Sequence, residues 1–135
     1  METETQTEIN SAVDIVTARQ RGRTLALELG FNGADVTLIA AAISEVARNI
    51  VDHAKKGEIL MCTIGHPGNG KCGIQIVARD QGPGIRDVAQ AMQYGYSTRK
   101  GLGVGLPGAK WLMDEFDIAS QVGRGTTITM KKWRR

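Results

Sequence analysis

Glycine constrains this chain more than any other residue. Seventeen of its 135 residues are glycine, about 13% against a usual ~7%. Seven of them, Gly82, Gly84, Gly95, Gly101, Gly103, Gly105 and Gly108, crowd into one short stretch. Backbone that rich in glycine has to turn sharply or lie close against something. A chain of this length forms a single domain, residues 1–135, and can bury a core without disulfides or metal. Cys62 and Cys72 lack the paired spacing of a zinc site and read as reduced thiols on strands.

The rest of the composition excludes several classes. Hydrophobic residues are 41% and charged residues 23%, ordinary for a folded domain and far from a disordered one. No run approaches the ~20 apolar residues of a membrane span. The opening METETQTEIN is acidic and polar, the reverse of a signal peptide, so the expected location is the cytoplasm, with no membrane partner. Net charge is +3, yet four of the final five residues, Lys131 to Arg135, are basic; without them the body is slightly acidic. That body is no nucleic-acid surface, and aromatics at 4% make a poor stacking platform for single strands. The basic tail reads as a solvated terminus.

Periodicity outlines the elements. Residues 5–9 suit a short edge strand. Ala12 to Leu29 reads as a helix with an imperfect stripe of Val13, Val16, Ala18, Leu25 and Leu29; Gly22 weakens it by about 1 kcal/mol, and Gly30 is a C-terminal stop. Asp35 is the expected cap of a second helix reaching about Lys55. Its apolar positions Val36, Ile39, Ile43, Val46, Ile50 and Ala54 step by three and four, as a core-facing helix does. Residues 58–65 and 72–80 read as a hairpin around Pro-Gly and Asn-Gly turn signals. A short helix is expected near 87–94. Another begins near Gly105, with Pro107 in its first turn and Leu102, Leu106, Ala109, Met113 and Phe116 as its apolar steps. Residues 116–122 and 126–133 close the chain as two strands around Gly123-Arg124-Gly125. The expected architecture is α+β, a two-layer α/β sandwich with helices on one face of a mixed, mostly antiparallel sheet.

Four constellations carry possible chemistry, each weak alone. Glu45, Asn49 and Asp52 are spaced to share a helix face, where a carboxylate and a carboxamide can hold a hard cation or activate a hydroxyl; taken alone, a solvated face is the commoner explanation of that spacing. Asp80-Gln81-Gly82-Pro83-Gly84-Ile85 leaves a strand end, where a carboxylate can accept from an amino group and the glycines admit a flat ring, or simply form a tight turn. Gly101-Leu102-Gly103-Val104-Gly105-Leu106 precedes a helix, where clustered N–H groups suit an anion, with Arg99 and Lys100 upstream. It is neither a Walker loop nor a dinucleotide fingerprint. Gly123-Arg124-Gly125-Thr126 joins two strands.

Their order is far more specific. Glu-x-x-x-Asn, Asp-x-Gly-x-Gly, Gly-x-Gly-x-Gly and Gly-x-Gly-Thr, in this sequence, resemble the nucleotide-binding boxes of the GHKL (Bergerat-fold) superfamily over residues 35–130. Ser44 to Ile50, Asp80 to Ile85, Tyr96-Ser97-Thr98, Gly101 to Gly108, Leu112 to Phe116 and Lys132-Trp133 resemble the small serine/threonine switch kinases of bacterial partner-switching systems, with the anti-sigma-factor kinases as near relatives. The resemblance implies ATP and Mg²⁺ as cofactors and Glu45 as catalytic base. It implies Asn49 as the metal ligand and Asp80 on the adenine amino group, with Gly82 and Gly84 letting the ring approach. Lys100 and the N–H groups of Gly101, Gly103 and Gly105 would meet phosphate oxygens, and Thr126 would support Asp80 and adenine. Asp52, Ile85, Leu102, Val104 and Leu106 complete the nucleotide set.

The implied acceptor is a Ser or Thr of a STAS-domain stressosome protein of the RsbS or RsbR type. The implied second role is binding and activating a downstream enzyme such as a PP2C-type phosphatase, with no nucleic acid. Arg19 and Arg23 on the first helix are the expected partner contacts. The alternative is an anti-sigma-factor kinase that sequesters a sigma factor and phosphorylates its anti-anti-sigma partner. A histidine-kinase fragment would need a phosphoacceptor helix, and neither His53 nor His66 lies on one.

Overall fold

Alternating burial along the strands sets the layers of the molecule. In the computed structural model, residues 4–65, 71–85, 87–92 and 105–135 are described. Strands β1 (Glu4–Ile9), β2 (Gly57–Gly65), β3 (Cys72–Asp80), β4 (Glu115–Gln121) and β5 (Gly125–Trp133) form one sheet in the order β1-β2-β3-β5-β4. All four pairings are antiparallel, the limiting case of the mostly antiparallel sheet expected. Every second residue of the central strands is buried: Ile59 and Met61, then Ile74, Ile76 and Ala78, then Ile128 and Met130. A period of two puts these side chains on one face, and helices cover it.

Those helices are α1 (Ala12–Glu28), α2 (Gly33–Asn49), the four-residue α3 (Val88–Ala91) and α4 (Gly105–Leu112). Helix α2 packs against both α1 and α4. Its stripe of Val36, Ile39, Ile43, Val46 and Ile50 is buried throughout, as its spacing requires. Its cap is Asn32 rather than Asp35: the Asn32 side chain accepts from the Asp35 N–H at 2.8 Å, so Asp35 falls in the first turn. A π-helical turn, Ile50–Ala54, prolongs α2 to Lys55, whose φ of 74° ends it.

Three other expectations need correction. Val13 and Val16 are 72% and 52% exposed, and the buried face of α1 is Ala18, Gly22, Leu25 and Ala26. Gly22 serves that packing, because a Cβ there would stand 2.1 Å from Ile43 Cδ1. Helix α4 stops at Leu112, so Phe116 belongs to β4. The basic tail is pinned rather than solvated. Lys132 is buried, with Nζ donating to Leu112 O at 2.8 Å. Arg134 donates to Leu29 O at 3.1 Å, and Arg135 pairs with Asp114 at 2.8 Å. Burial pushes the Asp114 carboxyl up, but the Trp133 N–H, Lys132 and Arg135 outweigh it and hold the carboxyl below its ordinary value. No helix among the described residues is long and apolar enough to cross a membrane.

Candidate functional site

The end of α2 carries the first part of the site. Glu45 is only 9% exposed, and a buried carboxylate needs partners. Its Oε1 accepts from the Gly105 N–H at 3.0 Å and its Oε2 from Arg48 at 3.1 Å. The Gly105 N–H, expected on a phosphate, is therefore taken by Glu45. The contact joins Glu45 to the first turn of α4, where Leu106 is buried in the core. Asn49, partly buried, is the last residue of α2. The wider π turn begins at the next residue, so the α-helical spacing does not carry on to Asp52, which is exposed. Turns of this kind recur at functional sites.

The π turn abuts the second part. A Cβ on Gly82 would stand 2.5 Å from Ala54 Cβ. One on Gly57, which pairs with Asp80 in the sheet, would stand 3.0 Å from Ile50 Cγ2 and 3.1 Å from Asp80 Cβ. Asp80 Oδ1 accepts from the Gly82 N–H at 2.9 Å and closes the turn. Gly84 has φ +78°, and a side chain there would meet the Gln121 carbonyl at 2.2 Å. Protein lies on the side where Gly82 and Gly84 would carry a side chain, and the glycines press this loop between the π turn and the β4–β5 turn.

The third part is the β4–β5 turn. Gly125 has φ +92°, and its missing side chain admits the Asp80 carbonyl. Thr126 is 5% exposed and is the direct partner of Asp80 across β3 and β5. Its hydroxyl meets Ser120 Oγ at 2.8 Å, and Ser120 Oγ also accepts from the Ile85 N–H at 2.7 Å. The Gly123 N–H donates to Pro83 O at 2.8 Å.

The structure brings Glu45, Asn49, Asp80, Gly82, Gly84, Ile85 and Thr126 into one connected set of elements. Lys100, Gly101, Leu102, Gly103 and Val104 lie outside the described residues. Arg19 and Arg23 are exposed on α1, which packs on α2 and β1. Sequence reading missed Arg48 and Ser120. Arg48 lies three residues after Glu45, a spacing that pairs charges on a helix. Ser120 is a hydroxyl at an inward position of β4, in step with Phe116 and Ile118, and that polar break was its signal. Among the described residues no three His, Cys, Asp or Glu gather to hold a metal.

Comparison with known proteins identifies the family. The family model described as "Histidine kinase-like ATPase domain" matches residues 10–132. The chain is 52% identical over 122 residues, 90% of each chain, to serine/threonine-protein kinase RsbT of Bacillus subtilis (strain 168). It is 33% identical over 103 residues to the anti-sigma F factor of Caldanaerobacter subterraneus, covering 73% of this chain and 71% of that one. With the anti-sigma F factor of Clostridium acetobutylicum it shares 29% over 121 residues, 85% and 82% of the two chains.

Proposed function

The chain belongs to the histidine kinase-like ATPase family and is an ATP-dependent serine/threonine-protein kinase, and on that premise we propose that it phosphorylates STAS-domain proteins of a stressosome. In the same reading, release from those phosphorylated partners frees it to bind and activate a downstream signalling enzyme such as a PP2C-type phosphatase. The observation that carries the site reading is the unbroken run of contacts from Thr126 and Asp80, through Gly82 and Ala54, along the π turn to Asn49 and Glu45. Glu45 and Ala54 are nine helical steps apart, about 13 Å at ~1.5 Å per residue. A nucleotide with its base at Asp80 would thereby extend its phosphates toward Asn49.

Phosphoryl transfer asks a protein for positioning and charge rather than covalent chemistry. Asp80 would accept from the adenine amino group, with Thr126 beside it. Asn49 would ligate Mg²⁺ through its carboxamide oxygen. One protein oxygen fits this ion, which favours water and phosphate oxygens over an all-protein cage; its chemistry would be to offset charge between the terminal phosphates. Glu45 would accept the proton of the attacking Ser or Thr hydroxyl. Lys100 and the N–H groups of Gly101 and Gly103 would supply further phosphate contacts, and exposed Arg19 and Arg23 would meet the acceptor protein.

The test is incubation of the full chain with γ-labelled ATP, Mg²⁺ and purified STAS-domain proteins of the stressosome type. Label on Ser or Thr of a STAS protein is the expected result. Tight binding of a sigma factor, with transfer confined to its anti-anti-sigma partner, would establish the second reading, which the anti-sigma F relatives support.

A further inference from the structure

Ser120 Oγ stands at the meeting point of three elements. It accepts the Ile85 N–H at 2.7 Å, lies 3.2 Å from Gly125 O and lies 2.8 Å from Thr126 Oγ1. A serine hydroxyl has one hydrogen and two lone pairs. A carbonyl oxygen can only accept, so the Ser120 hydrogen goes to Gly125 O. The Thr126 contact then runs the other way, with Thr126 donating to Ser120. Ser120 is thus fully used, and the single hydrogen of Thr126 is committed inward.

Asp80 and Thr126 are cross-strand partners. Their parity with Ala78 and Ile128 puts both side chains on the helix-covered face. The Asp80 carboxylate offers only acceptors. With its hydrogen committed to Ser120, Thr126 offers only a lone pair. We propose that Ser120 sets the base specificity of the nucleotide site: by holding the Thr126 hydrogen, it leaves an all-acceptor edge that selects a purine bearing a 6-amino group over one bearing a 6-carbonyl. This rests on the reading of Asp80 and Thr126 as the base-facing pair. Adenine presents a donor at that position and guanine an acceptor, and an acceptor buried against acceptors goes unpaired. Ser120 touches no substrate; it is a positioning residue that acts through Thr126.

Titration of the full chain with fluorescent ATP, competed by unlabelled ATP and GTP, reads both affinities. In Ser120→Ala the freed Thr126 hydroxyl can turn and donate to the 6-carbonyl. The preference for ATP over GTP is expected to fall about tenfold, the scale of one buried hydrogen bond. Ser120→Thr keeps a hydroxyl in place and is expected to retain the wild-type preference. If Ser120→Ala weakens both nucleotides by the same factor, or neither, Ser120 is only a brace and the proposal fails. Asp80→Asn isolates the underlying reading: unchanged ATP affinity in that variant sinks the base-facing pair itself. If circular dichroism shows Ser120→Ala unfolded, Thr126→Val replaces it. That variant is expected to lose about tenfold in ATP affinity and nothing in GTP affinity, and equal losses overturn the proposal.

Discussion

Replacing Glu45 by glutamine separates the chemistry of this carboxylate from its structural contact. Alanine would remove both, because Oε1 receives the first N–H of α4. A glutamine oxygen can keep that bond. Its amide then turns an NH₂ group toward Arg48, donor against donor, where a 3.1 Å ion pair stood. A charge-assisted hydrogen bond is worth about 1.5–3 kcal/mol. The Arg48 side chain is 27% exposed and can turn to water, so the net loss should be nearer 1 kcal/mol. For a domain of this size that is a fall in Tm of roughly 3–6 °C. The catalytic effect is larger. A positioned base contributes about 10²–10⁴ in rate, or roughly 2.7–5.5 kcal/mol of barrier. Single-turnover quench with γ-labelled ATP and a STAS substrate reads transfer. Nucleotide titration and thermal melting read the rest. Transfer should drop by at least about a hundredfold while ATP affinity stays within about threefold. Transfer at the wild-type rate refutes the base assignment. A loss of transfer matched by an equal loss of ATP affinity means that Glu45 acts only by fixing the start of α4.

Three other outcomes are expected. Arg19→Ala should weaken binding to the STAS partner at least ~30-fold, about 2 kcal/mol for a lost anchor arginine, with ATP affinity unchanged; surface-plasmon titration beside nucleotide titration measures both. Gly84→Ala forces a side chain into the left-handed region and onto the Gln121 carbonyl. It should cost at least ~1–2 kcal/mol in urea unfolding and lower ATP affinity as the 80–85 loop moves, whereas wild-type values for both would mean that the loop does not dock on the β4–β5 turn. The Asp114 carboxyl is held below its ordinary 3.8, so its contribution is fully present above that pH and is lost as pH falls toward the folded value. Urea midpoints followed into acid should show this loss in the wild type and not in Asp114→Asn, and parallel acid profiles would mean that Asp114 does not help to pin the C-terminal residues.

What the sequence disclosed depended on how local each signal is. The box residues were readable because each motif is a few residues long and glycine and acid types are rare in that pattern. The stripe of α2 was readable because its face is buried from Val36 to Ile50 without a break. Ser120 was not, since its partners include Ile85, 35 residues away. The π turn has no composition of its own; it follows from fitting Ile50 and Ala54 against Gly57 and Gly82. On α1, the expected Ala18, Leu25 and Leu29 are buried, but Val13 and Val16 are not, and Gly22 and Ala26 complete the packed face. Lys132 was mistaken for part of a free tail although it falls in step with Ile128 and Met130, an inward position of β5. Its charge is met there by the last carbonyl of α4, where the helix dipole favours a cation.

Strand β5 is synthesised after every other strand, yet it lies inside the sheet, between β3 and β4. Chain leaving a ribosome can pair β1, β2 and β3 early, because those neighbours are already present. Until residues 125–133 emerge, however, one edge of β3 stays open and β4 has no neighbour at all. The residue that faces Asp80 across that open edge is Thr126. On the proposed reading of Asp80 and Thr126 as the base-facing pair, a nascent chain has no base pocket, and ATP would not favour its early intermediates by binding them. On that reading nucleotide would stabilise only the finished sheet, which makes ligand rescue of a destabilised variant a report on complete folding.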